Sequence, residues 1–149
     1  MSGWIARLNK LAFGGLCVGA LAISSLPARA EEPLNLVGTC KGIAQGVHRG
    51  TNPYRAGEQP GPNFSTEALE FTYTITTQHG NRFSGQSSDG KRTENLIGAI
   101  TQSNKNGVVL DDDGQYLFTV RDSNTLDACY SHSNANSKVA ACFEWKRIR

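Results

Sequence analysis

TLDACYSHSNANSKVAACFEWKRI, residues 125–148, is the stretch on which the fold turns. Apolar side chains fall at every second position on both arms, Leu126, Ala128 and Tyr130 on one and Ala141, Phe143 and Trp145 on the other, which is the period of a half-buried strand. The polar run Ser133 to Ser137 reads as the turn between them. A hairpin centred between Ala135 and Asn136 pairs residues whose numbers sum to 271, and Cys129 with Cys142 meets that sum. The same register sets Leu126 against Trp145, Ala128 against Phe143 and Tyr130 against Ala141. The apolar set then shares one face and the cysteines the other, so the pattern predicts a cross-strand Cys129–Cys142 disulfide.

Upstream the same period recurs. Leu36 to Lys41 reads as a first short strand, and Leu69 to Gln78 as the clearest one, with Leu69, Phe71, Tyr73 and Ile75 on one face. His79-Gly80-Asn81 turns it into Arg82 to Ser87. Thr93 to Thr101, Val108 to Asp111 and Gln115 to Val120 follow, separated by Asn104-Lys105-Asn106-Gly107 and Asp113-Gly114. No segment has a helical period. Eight sequential strands with tight turns predict an all-β chain, an eight-stranded antiparallel up-and-down barrel whose closure removes exposed edges. A two-sheet sandwich is the alternative, but it needs long crossovers and only one long connection is present. That connection, Ile43 to Ala68, is rich in Gly and Pro, shows no strand or helix period, and is expected to be a loop.

Met1 to Lys10 carries two positive charges and no acid, followed by an apolar run to Leu26 and by Pro27-Ala28-Arg29-Ala30. Residues 1–30 therefore read as a cleaved signal peptide, and 31–149 as a single domain that is periplasmic or secreted. The apolar run is short and lacks a basic stop-transfer flank, so no stable membrane insertion is expected after cleavage. Leu16 before Cys17 argues against a lipid anchor. Of 15 basic side chains, Arg7, Lys10 and Arg29 belong to the leader, leaving 12 against 13 acidic ones. That balance provides no electrostatic footprint for nucleic acid.

Export implies an oxidising compartment, where the odd cysteine is Cys40. On the same side of its strand as Leu36 and Gly38, it is expected to point inward as a small buried hydrophobe. The histidines, His48, His79 and His132, all fall in expected loops or turns and read as surface residues, with no metal-ligand spacing among them. Asp111-Asp112-Asp113-Gly114 offers carboxylates to a hard cation, but the calcium-loop glutamate is missing and an Asp-Gly hairpin turn is the simpler reading. No acid, base and nucleophile assemble from the sequence. The expectation is a protein that is not an enzyme and has neither metal nor cofactor.

Three stretches resemble the calycin group, the small secreted barrels that include lipocalins and avidin-like proteins. Leu36-Val37-Gly38-Thr39-Cys40-Lys41-Gly42 resembles that group's opening strand, Tyr73 to Gly85 is similar to the second hairpin of avidin-like chains, and Trp145 with Arg147 is similar to its last strand. Cys40 stands where the barrel-floor tryptophan would be, Gly42 where a biotin-binding barrel places a polar residue, and Gln86-Ser87-Ser88 where a tyrosine is expected. No biotin site is implied. The lipocalin resemblance implies that Ile43 to Ala68 forms a flap over the open end.

Two functional readings follow. The first is an exported barrel binding a small, partly apolar ligand in its mouth, with Phe71, Tyr73, Tyr116, Phe118 and Tyr130 as lining and Tyr54 and Phe64 on the flap. The second is a protein-binding module, a hydrolase inhibitor or a host-surface interaction protein, that uses the 43–68 loop with Tyr54, Arg55 and Phe64 as anchors.

Overall fold

Strands that alternate apolar and polar side chains bury one face only, and a sheet curled on itself covers that face with no second layer. In the computed structural model, which describes residues 32–51, 54 and 61–148, this is the arrangement. The strands are β1 (Gly38–Ala44), β2 (Gly46–Gly50), β3 (Asn63–Phe64), β4 (Leu69–His79), β5 (Arg82–Ser88), β6 (Thr93–Ile100), β7 (Asn106–Leu110), β8 (Gln115–Asp122), β9 (Thr125–Ser133) and β10 (Ser137–Arg147). From β4 to β10 each strand pairs with the next, and β1 pairs with both β4 and β10. Eight antiparallel strands thus close into an up-and-down barrel, and no helix occurs among the described residues. Residues 1–30, read above as a leader, lie outside the described residues, as does Arg55.

The β9–β10 register is the expected one, Leu126 against Trp145, Ala128 against Phe143 and Cys129 against Cys142. The two cysteines form a disulfide across 13 residues with Cα atoms 4.0 Å apart. So short a closed loop stabilises by about 3 kcal/mol in the chain-entropy account. Cys40 is the free cysteine of the described residues, half-buried against the core, and burial pushes its thiol pKa up.

The 43–68 segment corrects the expectation of an unstructured loop. β1 extends to Ala44, beyond Lys41, and β2 continues along β10 in the register of β1, Cys40 opposite Arg147 and Val47 opposite Ala140. β3 then pairs with β2, Val47 opposite Phe64. The cause is backbone pairing. β10 is longer than β1, and the peptide groups of residues 137–141 are satisfied by recruiting β2, whatever its side-chain pattern. Gly46 permits this approach, since a Cβ there would lie 2.5 Å from the Ala140 carbonyl oxygen, and Gly50 takes a φ of +79°.

Hairpin alternation sorts the turns into two ends. One end carries the turns after β4, β6 and β8 together with residues 32–37, which cross it. Gln78 holds that crossing segment, accepting from the Leu36 amide at 2.7 Å and donating to the Leu34 carbonyl at 2.8 Å, while Asn104 accepts from the Leu34 amide. Arg147 closes the seam by donating to the Val37 and Asn35 carbonyls. Inside, Leu36, Ile75, Phe83, Leu96, Ile100, Val109, Phe118, Leu126 and Trp145 are buried in one cluster. The other end carries the turns after β5, β7 and β9 and the connection from β2 to β4.

A candidate ligand-binding mouth

At this second end the interior is not filled. A cavity of about 70 Å³ opens there, lined by residues that include Tyr54, Phe71, Tyr73, Glu94, Tyr116, Tyr130, His132 and Phe143. The volume is room for a few water molecules or for one end of a small ligand. A continuous aromatic track descends from the rim to the floor. Tyr54 meets Phe71 edge-on at 5.3 Å, Tyr73 meets Tyr116 edge-on at 5.9 Å, and Tyr73 stacks on Trp145 at 4.0 Å. The strand period places these rings, because residues 71 and 73 on β4, 116 on β8 and 143 and 145 on β10 all point inward.

Of the residues expected to bind ligand, Tyr54, Phe71, Tyr73, Tyr116 and Tyr130 line this cavity. Phe118 lies deeper, buried and 6.3 Å from Phe83, and is part of the packed interior. Phe64 is 77% exposed on β3 and points away from the cavity.

One wall is acidic. Carboxylate oxygens of Glu94, Asp111 and Asp113 all lie within 4.8 Å of one another. The turn after β7 positions two of them, since Asp111 Oδ1 accepts from the Asp113 amide at 3.2 Å and from the Gly114 amide, as an Asp-Gly hairpin turn requires. The Tyr54 hydroxyl donates to Glu94, and the Tyr130 hydroxyl donates to Asp113 at 2.7 Å. These three acids are the oxygens that could hold a cation.

His132 is a second correction, because it is 8% exposed inside β9 rather than on a surface turn. Its Nδ1 lies 3.2 Å from Asp113 Oδ2 and its Nε2 3.1 Å from the Asn134 amide nitrogen. Asn134 is oriented for this by accepting the Asn136 and Ser137 amides, each at 2.8 Å. His48 on β2 also lines the cavity, whereas His79 is exposed at the end of β4. Glu94 and His132 carried a signal in the sequence. Glu94 has the parity of Leu96 and Ile100, and His132 that of Ala128 and Tyr130, so alternation extended to the strand ends would place both inside.

Burial raises the Glu94 and Asp111 carboxyls above the ordinary carboxylate range, and neighbouring carboxylates add to the rise. Burial likewise pushes the hydroxyls of Tyr54, Tyr73, Tyr116 and Tyr130 far up, so all four remain protonated donors. A raised acid binds protons more in the folded chain than in the unfolded one. Its contribution to stability is present at low pH and is lost as pH rises through the folded value. Unfolding free energy from Glu94 and Asp111 should therefore fall as pH rises through and above the ordinary carboxylate range. Denaturant titrations in acid and at neutral pH should show a smaller decline for Glu94→Gln than for the wild type, and equal declines would contradict this account.

The chain matches no family model, no curated protein and no solved structure. Its closed cylinder is consistent with a calycin-like fold.

Proposed function

We propose that this chain is an exported, non-enzymatic binding protein of the lipocalin and avidin-like kind, which holds a small, partly apolar ligand in the mouth of its barrel. The supporting observation is the asymmetry of the interior. One end is packed with Phe83, Phe118 and Ile100, while the other leaves a cavity floored by Tyr73 and Tyr116 and walled by Phe71. Preformed concave sites that are mostly apolar with a few convergent polar groups are the usual form of small-molecule sites. Export is supported by the leader pattern of residues 1–30 and by the Cys129–Cys142 disulfide, which persists in an oxidising compartment.

Trp145 is the one tryptophan of residues 31–149 and stacks on a cavity-lining ring, so it reports on occupancy of the mouth. Titration with benzyl alcohol should change Trp145 emission saturably in the wild type. Phe71→Ala should weaken that response roughly tenfold by removing an aromatic wall, and Leu117→Ala on the outer face should leave it alone. No saturable response in the wild type would reject the proposal.

A second reading is kept for one observation, the exposure of Phe64 on β3 beside β2. An exposed aromatic on a short added strand is a form that docks against a protein partner. Phe64→Ala separates the two readings, since protein capture would be lost while the Trp145 response to benzyl alcohol is kept.

A further inference from the structure

The acidic wall has unused hydrogen-bonding capacity that points to the chemistry of the ligand. Asp111 Oδ2 is fully buried with no partner, although its Oδ1 is held by the turn. The Tyr73 hydroxyl is also buried without a hydrogen-bond partner, in a residue only 1% exposed that lines the cavity. Buried polar atoms are normally satisfied, so these two mark where a polar group of a ligand would be received. No lysine or arginine lines the cavity among the described residues, and Arg92 stands on Tyr54 with its guanidinium carbon 5.4 Å from the ring centre.

We propose that the group received there is a cation, specifically a primary ammonium held against Asp111 and Glu94 with its apolar body lying on Phe71 and Tyr73. The proposal rests on the mouth-binding reading and adds the charge of the ligand. An ammonium carries three N–H donors and no acceptor, which suits a wall of carboxylate and phenol oxygens. Aromatic faces attract the same cation through their quadrupole, most strongly where water is excluded. Three converging carboxylates repel one another, and a positive head relieves that repulsion.

A divalent metal fits less well. Hard cations take six to eight oxygens, whereas Asp113 is engaged at both oxygens by Tyr130 and His132, and one Glu94 oxygen by Tyr54. Most of the remaining lining is aromatic or aliphatic. The 70 Å³ cavity accommodates an ammonium with two or three carbons, so the rest of the ligand extends through the mouth past Tyr54.

Calorimetric titration of the disulfide-intact protein at neutral pH with benzylamine and with benzyl alcohol tests this. Benzylamine should bind at least about tenfold more tightly than the alcohol, the scale of a hydrogen bond to a charged group. Asp111→Asn should remove most of that difference, while its retained Oδ1 still accepts the turn amides. Glu94→Gln provides a second variant that leaves the turn untouched. Equal affinity for amine and alcohol overturns the cation and leaves the mouth-binding reading standing. Binding of neither compound overturns both. Binding of calcium chloride without binding of benzylamine overturns the ammonium in favour of a metal.

Discussion

Replacing Trp145 by alanine should lower the unfolding free energy by about 3–5 kcal/mol, the range for deleting a large buried aromatic. The indole is 2% exposed and stacked on Tyr73 with centroids 4.0 Å apart, and Tyr116 meets it at 5.4 Å and 65°. Its loss leaves a hole beneath the cavity floor, bordered by two rings that are fixed by their own strands and cannot collapse into it. Trp145→Phe keeps a ring in the stack and also removes an indole N–H that has no partner, so it should cost about 1 kcal/mol. Urea unfolding with the disulfide intact measures both. A similar loss in the two variants would mean that the indole's full volume, rather than the presence of a stacked ring, supports the floor. A loss below 1 kcal/mol in Trp145→Ala would mean that the floor is not packed at all.

How far the fold is legible in the sequence depends on what holds each strand in place. β4, β9 and β10 are held by apolar side chains on one face, and there the period of two reaches within a residue or two of the true ends, as with Leu69 to Gln78 against Leu69–His79. The Cys129–Cys142 pair adds a covalent check on the register. β2 is held by backbone hydrogen bonds to β10, far away in sequence, and β3 only by pairing with β2, and Gly46-Val47-His48-Arg49-Gly50 shows no alternation to read. The mouth divides in the same way. Phe71, Tyr73, Tyr116 and Tyr130 follow from alternation within one strand. The meeting of Glu94 with Asp111 and Asp113 depends on how β6, β7 and β8 are staggered, which no single strand encodes. Charged residues at strand ends are also ambiguous, because an acid there is more often solvated than turned inward. His132 shows the same difficulty, since a polar residue next to the turn at Asn134 resembles the turn until its strand is extended by two residues.

Gly98→Ala should destabilise the barrel by about 1–3 kcal/mol, the cost of overpacking a filled interior. Gly98 on β6 stands opposite Phe83 on β5, and the Phe83 ring lies across it, so an added Cβ would come within 2.3 Å of the ring and 2.8 Å of the Val108 carbonyl oxygen. The same device recurs one pair away, where Phe118 lies across Gly107. Two phenylalanines laid over two glycines are therefore what fills the closed end. Phe83→Leu alone should also destabilise, by opening space beneath residues 32–37. Combined with Gly98→Ala, it should cost less than the two separate losses together, by roughly 0.5–2 kcal/mol, because the shorter side chain gives way to the new methyl group. The Val108 carbonyl keeps the rescue incomplete. Strict additivity in this cycle would show that the ring does not occupy the space above the glycine. The asymmetry between a filled end and an open one, on which ligand binding at the mouth depends, would then need another cause.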